Sequence, residues 1–227
     1  MSARSSIVCY YDVVSPYSYY GVKLLNRYKL QWKDVDVELR PVFLAGVFSG
    51  SKNQAPANVA AKSAYMFKDL GRLSTASGIP MNFPSNFPTM TVPASRLLVI
   101  IQKTESVATY EQCVEKPENA LFEAYWVEDK DVSQQEILIN TVAPIIGADK
   151  AAKYMQQTSD KEIKQQLIDN TNEAIEVGAF GAPTFVIKKA GSDKPHLFFG
   201  SDRFEVITSF LGLPYEGLAM KASPAKL

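Results

Sequence analysis

The chain of 227 residues sets 24 Lys and Arg against 24 Asp and Glu, and 46% of it is hydrophobic. It is long enough to bury a large core, and with no net field to draw it to a phosphate backbone or an anionic lipid, a nucleic-acid partner is not expected. Two cysteines, Cys9 and Cys113, and one histidine, His196, with no Cys-x-x-Cys, argue against a disulfide scaffold and a structural zinc site and fit a reducing compartment.

The run IVCYYDVV (residues 7–14) reads as an opening strand. It starts so close to MSARSS that no room is left for a hydrophobic signal core or a long amphipathic presequence, so secretion is not expected. Ser15-Pro16 ends the run, and the apolar residues that follow recur at helical spacing. VDVELRPVFL alternates, with Val35, Val37 and Leu39 on one side, and predicts a second strand. Next comes a loop-like stretch, then a helical interval over about residues 59–77, then Pro80, Pro84 and Pro88, which break regular structure. ASRLLVIIQK, ALFEAYWVEDKD, QQEILINTVAPIIG and DKEIKQQLIDNTNEAIEVG read as helices, the last closed by Gly178. PTFVIKK and PHLFFG are short strands joined by a turn around Gly191 and Ser192. SDRFEVITSFLG is a final helix with Ser201 or Asp202 at its N-cap. No window approaches the ~20 apolar residues that a membrane helix needs.

Strand-helix-strand, a long helical block, then strand-strand-helix is the order of an α/β, thioredoxin-like fold with a large all-helical domain inserted after the first strand-helix-strand unit. The expected domains are 1–56 with 179–227, and the insertion 57–178. In that arrangement the first helix begins where redox members carry Cys-x-x-Cys, since free amides and the positive dipole end lower the pKa of a sulfur placed there. Here the slot reads Ser15-Pro16-Tyr17-Ser18. A serine forms no disulfide, which excludes dithiol chemistry, but its hydroxyl can donate to a thiolate that another molecule carries. The same pair also serves as an ordinary cap and first-turn proline.

In GAFGAPTF, Pro183 opens the third strand where this fold sets a cis proline beside the site, and Ala182 before it offers backbone N–H and C=O to an extended peptide; a trans X-Pro bond is the commoner case in general. In FFGSDRF, Gly200, Ser201 and Asp202 turn into a helix. Free amides there suit a carboxylate and Asp202 suits an ammonium group, together an amino-acid head group, although a plain Ser or Asp cap uses the same residues.

Together YYDVVSPYSYYG, GSKNQAPANVAAKSAYMFKDL, GAFGAPTF and FFGSDRF resemble the kappa-class glutathione transferases, a family related to bacterial 2-hydroxychromene-2-carboxylate isomerases, in the same order over nearly the whole chain. The resemblance implies a homodimer with no prosthetic group, glutathione as cosubstrate in a cleft between two lobes, and small electrophiles or organic hydroperoxides as acceptors. It implies that Ser15 stabilises the glutathione thiolate with Pro16 and Tyr17 beside it, and that Ala182, before a cis Pro183, pairs with the cysteinyl backbone. Ser201 and Asp202 would hold the γ-glutamyl carboxylate and amine, Asn53 would meet the other end, and Lys62 would bring positive charge to it.

Lys62, Tyr65 and Asp69 share one helix face, where Tyr65 and Asp69 read as a solvated surface with an ion pair. Cys9 is expected to be a buried spectator, Cys113 has no partner in sequence, His196 reads as structural, and Trp32 and Trp126 as packing residues. The tail Ala225-Lys226-Leu227 follows the small-basic-leucine peroxisomal address found in members of the family, so the peroxisomal matrix is the expected location, the mitochondrion the second, and an import receptor an expected partner. Two other readings use the same chain: a glutathione-dependent isomerase that returns its glutathione, and a non-catalytic thioredoxin-like module, which would need no amino-acid clamp.

Overall fold

The computed structural model describes residues 4–32, 34–115 and 120–219, so the Ala225-Lys226-Leu227 tail lies outside the described residues. Strand β1 (Ser5–Tyr11), helix α1 (Pro16–Lys29) and strand β2 (Val35–Pro41) form a crossover unit whose strands are parallel, Cys9 opposite Leu39. Strands β3 (Thr184–Lys188) and β4 (Pro195–Phe199) make a hairpin, β3 runs antiparallel to β1, and the sheet order is β2-β1-β3-β4. Helix α10 (Phe204–Leu211) closes the unit. Between β2 and β3 come α2 (Leu44–Gly50), a 3-10 turn (Pro56–Asn58), α3 (Ala60–Ser77), α4 (Val92–Thr104), α5 (Val107–Val114), α6 (Leu121–Trp126), α7 (Gln135–Ile146), α8 (Ala148–Gln157) and α9 (Lys161–Glu176). This is the thioredoxin-like fold with a helical insertion that the element order leads one to expect. Among the described residues no helix is long and apolar enough to cross a membrane.

Side chains alternate across a strand, so Ile7, Cys9 and Tyr11 enter one core and Tyr10 enters another on the far face of the sheet. The main core is continuous from the sheet through α1 into the inserted helices. Because α1 is covered on both sides, its tyrosines fill space with their rings and satisfy lobe carbonyls with their hydroxyls: Tyr19 donates to Pro80 O at 2.7 Å and Tyr20 to Leu70 O at 3.3 Å. Gly21 permits the close approach of α1 to β3, since a Cβ there would lie 2.8 Å from Pro183 Cγ.

The smaller core packs Tyr10, Val42, Leu44, Val47, Ala174 and Val186 between the sheet, α2 and α9. Polar bonds tie α9 to β2 and the residues after it. Asn170 Nδ2 donates to Pro41 O at 3.1 Å, Thr171 Oγ1 accepts from the Phe43 N–H at 3.0 Å, and Glu173 receives both Tyr10 and Arg40.

Several elements differ from the sequence expectation. β1 ends at Tyr11 rather than at residue 14, because the buried Asp12 carboxylate gathers the N–H groups of Val14 (3.1 Å) and Leu44 (2.9 Å) and the Thr91 hydroxyl (2.6 Å). α6 stops at Trp126 instead of running to residue 131; Asp129 has φ +55°, and Asp131 turns to accept the Ser133 N–H at 3.0 Å. α10 starts at Phe204 with Arg203 in the cap position, so neither Ser201 nor Asp202 caps it. α2, α5 and α8 form where no helix was expected.

The remaining single residues lie as expected. Trp32 and Trp126 are buried, and Trp126 Nε1 donates to Val13 O at 2.8 Å. Cys9 is buried and burial raises its thiol pKa strongly, while burial pushes Cys113 up to about 12; neither is a thiolate at neutral pH. His196 packs its ring on Phe210, with centroids 4.7 Å apart.

Candidate active site

Asp12 sets the position of Ser15, because its main-chain carbonyl accepts the Ser15 N–H at 3.0 Å while its carboxylate anchors the turn to α2 and to Thr91 before α4. Burial raises the Asp12 carboxyl, and the bonds from Thr91, Leu44 and Val14 oppose that rise. Ser15 then stands at the N-cap of α1 with Pro16 in the first turn. Its Oγ accepts from the Ser18 N–H at 3.1 Å and donates to the Ala182 carbonyl at 2.9 Å. The first strand-helix junction and the loop before β3, 167 residues apart in sequence, therefore meet through one hydroxyl. Ser15 is 4% exposed, and the neighbouring Ser18 hydroxyl is buried with no partner among the described residues.

The loop around Ala182 is the hub of the predicted site. The Ala182–Pro183 bond is cis, and a second cis bond, Phe87–Pro88, is one that sequence reading missed. Pro183 O accepts the Gly200 N–H at 3.0 Å, which brings the Gly200-Ser201-Asp202 turn alongside. Gly200 has φ +99°, and a Cβ on it would meet Asp202 Oδ1 at 2.7 Å, so this turn closes only around a glycine. Asp202 is exposed and paired with Arg203, whereas Ser201 is 2% exposed. On the other side of the loop Asn53 Nδ2 donates to Phe180 O at 2.7 Å, which leaves its amide oxygen as an acceptor.

Opposite stands α3. A cleft of about 350 Å³ between α1 and α3 is lined by Tyr17, Pro56, Ala61, Lys62, Tyr65 and Met66. It is a size that takes a small ligand. The expected ion pair on the α3 face is absent among the described residues. Instead Asp69 accepts the Tyr17 hydroxyl at 2.9 Å and the Tyr65 hydroxyl at 3.2 Å, and Lys62 faces the cleft with no carboxylate partner among the described residues. Burial, and then the Asp69 carboxylate, raise the Tyr17 phenol, so it stays a neutral donor. Tyr65 thus lines the cleft, and Asp69 holds Tyr17 and Tyr65 from behind, so the pair is not a solvated face alone. The i,i+4 spacing of that pair was visible in sequence, but Tyr17, 52 residues from Asp69, was not an obvious third member.

The structure therefore brings Ser15, Pro16, Ala182, Pro183 and the Gly200 turn together, holds Asn53 to the same loop, and sets Lys62 with Tyr17 across a cleft. Among the described residues no group of three His, Cys, Asp or Glu side chains is placed to hold a metal ion. A buried hydroxyl at a helix start, beside a backbone edge open to an extended peptide, is suited to holding a sulfur anion.

The DSBA-like thioredoxin domain family matches residues 6–212. Over 223 residues the chain is 30% identical to glutathione S-transferase kappa 1 of Homo sapiens, covering 98% of this chain and 97% of that protein. It is 32% identical over 214 residues to glutathione S-transferase kappa 1 of Rattus norvegicus, covering 92% and 91%. The solved structure of a 2-hydroxychromene-2-carboxylate isomerase shares the fold, with a TM-score of 0.75 at 23% identity over 91% of this chain and 94% of that one.

Proposed function

We propose a mechanism from one premise: this chain belongs to the kappa class of glutathione S-transferases, within the DSBA-like thioredoxin family. Ser15 holds the glutathione sulfur as a thiolate at the start of α1, and the thiolate attacks a small electrophile. The observation that carries this reading is the meeting of the Ser15 hydroxyl, the α1 N-terminus and the Ala182 backbone at one point. A thiol with a pKa near 8.5 is only a few per cent ionised at neutral pH, so lowering it by about two units raises the thiolate fraction roughly tenfold or more. The gain is partly offset because a less basic thiolate is a weaker nucleophile.

Pro16 and Tyr17 flank the sulfur, and Ala182 pairs with the cysteinyl backbone ahead of Pro183. Asp202 receives the γ-glutamyl ammonium, and the turn amides with Ser201 receive its carboxylate. Asn53, through its free amide oxygen, and Lys62, through its ammonium, serve the glycyl end along the α3 cleft. Aromatic halides and organic hydroperoxides are the acceptors we assign. No prosthetic group is needed, since nucleophile and acceptor are both substrates. Residues 1–56 and 179–227 form the glutathione-binding domain and 57–178 the inserted lobe. The enzyme works as a homodimer, and the half-exposed Phe67 ring on α3 offers apolar surface for a second copy to cover. The tail tripeptide directs it through an import receptor to the peroxisomal matrix, with the mitochondrion as second location.

Ultraviolet titration of bound glutathione tests the site. The thiolate signal should appear well below the pKa of free glutathione, and Ser15→Ala should move it up; the same titration curve in both proteins would remove Ser15 from the mechanism. Product analysis should find a stable thioether with glutathione consumed. An isomerised acceptor with glutathione returned would replace this reading by the isomerase one.

A further inference from the structure

We propose that Ser15 donates its hydroxyl hydrogen bond to a bound sulfur only when the ligand also brings a backbone N–H to the Ala182 carbonyl, so that the site ionises cysteinyl peptides and leaves simple thiols un-ionised. The inference rests on the transferase reading above and adds to it a rule for which thiols are activated.

A serine hydroxyl has one proton and two lone pairs. In this structure the proton is already spent on Ala182 O, at 2.9 Å, and one lone pair is taken by the Ser18 N–H, at 3.1 Å. A sulfur arriving beside Oγ meets no free donor there. Ser15 and Ala182 are 4% and 8% exposed, so water is poorly placed to substitute for either group. Among the described residues Ser15 alone donates to the Ala182 carbonyl. Turning the hydroxyl toward a sulfur would leave that carbonyl buried and unpaired, which is the costly half of breaking any buried hydrogen bond.

A cysteinyl peptide removes this obstacle. Ala182 lies before β3, beyond the β1 pairing that ends at Tyr10 and Thr184, so its main chain is outside the sheet ladders and its carbonyl keeps a lone pair for one extended strand. The N–H of the ligand's cysteine takes the carbonyl, the hydroxyl loses nothing by turning, and an anionic sulfur is a stronger acceptor than the neutral carbonyl it replaces. The proton stays on Ser15 throughout; only its acceptor changes. A small thiol with no amide N–H can enter the same space, but it leaves the hydroxyl on Ala182.

The test compares glutathione with a depsipeptide analogue in which an ester oxygen replaces the cysteinyl N–H. Each is titrated by ultraviolet absorbance at saturation on the wild-type protein and on Ser15→Ala. The bound analogue should keep its thiol about one to two pKa units above that of bound glutathione. Ser15→Ala should raise the glutathione value and leave the analogue where it was. Equal lowering of both thiols in the wild type, a comparison that needs no variant to fold, would overturn the rule and leave the transferase reading intact. An analogue that fails to bind would also overturn it, because the N–H would then act on affinity and not on ionisation. Glutathione itself unshifted would bring down the transferase reading and this rule together.

Discussion

The two walls of the cleft are built from different materials. On one side the end of β1, the start of α1 and the loops at 179–183 and 200–202 are locked by main-chain bonds and close contacts: Ser15 to Ala182, Gly200 to Pro183, Gly21 against the Pro183 ring. On the other side α3 buries only Met66, Leu70 and Ser77, and side chains of α1 join it to the first wall: the Tyr17 hydroxyl on Asp69, the Tyr20 hydroxyl on Leu70 O and Arg27 on Ser77 O. A sulfur must be placed to within a fraction of an ångström for its charge to be stabilised, and that demand falls on the backbone-built wall. Contacts to the rest of a ligand tolerate more freedom, and the side-chain-built wall can supply them.

The largest effect belongs to the first wall. Ser15→Ala should lower the conjugation rate at saturating glutathione about a hundredfold, the scale on which removing one donor to a developing anion acts; an unchanged rate would erase the distinction between the walls. A matched pair of glycine substitutions sharpens it. Gly21→Ala places a Cβ 2.8 Å from Pro183 Cγ and should destabilise the fold by about 1–3 kcal/mol in urea titration. Gly71→Ala, within α3, meets nothing within 4 Å and should stabilise by about 0.5–1 kcal/mol. Next in size, Lys62→Ala should raise the KM for glutathione several-fold with kcat nearly kept, the pattern of lost uniform binding. A fall in kcat equal to the rise in KM would move Lys62 to the chemical wall.

The smallest effect lies in the lobe's own loops. Burial alone would raise the Asp131 carboxyl, but bonds from Ser133, Gln134 and Thr89 outweigh it and hold the pKa at about 2. The unfolded value is about 3.9, so this stabilisation is fully present above that pH and is lost as pH falls through the folded value. Asp131→Asn should therefore cost stability at pH 6, and the difference should close only as pH falls below about 2 in denaturant titrations.

What could be read from the sequence follows from how local each signal is. β1, α1 and β2 announce themselves through an apolar run, a Ser-Pro cap and an alternating stretch, and the hairpin through a turn at Gly191. The thioredoxin order of these elements then gave meaning to Pro183 and Ser15. The length of β1 was misread because Asp12 ends it with donors from Leu44 and Thr91, which no local window contains. α8 escaped because Ala151, Tyr154 and Met155 are its only buried residues, a stripe too thin to stand out. At the site, Lys62 and Asn53 came from a family pattern and not from spacing, and the Tyr17 bond to Asp69 needed the fold to bring two helices together.

The far face of the sheet carries a consequence for the loop at Ala182. α9 is the last helix of the 57–178 interval, yet it tiles β2 through Asn170 and Glu173, and only Val177 to Gly181 separate its end from Ala182. Its closing bond, Ala179 N–H to Ala174 O at 2.9 Å, with Gly178 at φ +95°, ends the helix and fixes where the connector leaves it. The loop that accepts the Ser15 hydrogen bond is thus fixed at its entry by the helix that tiles the far face of the sheet.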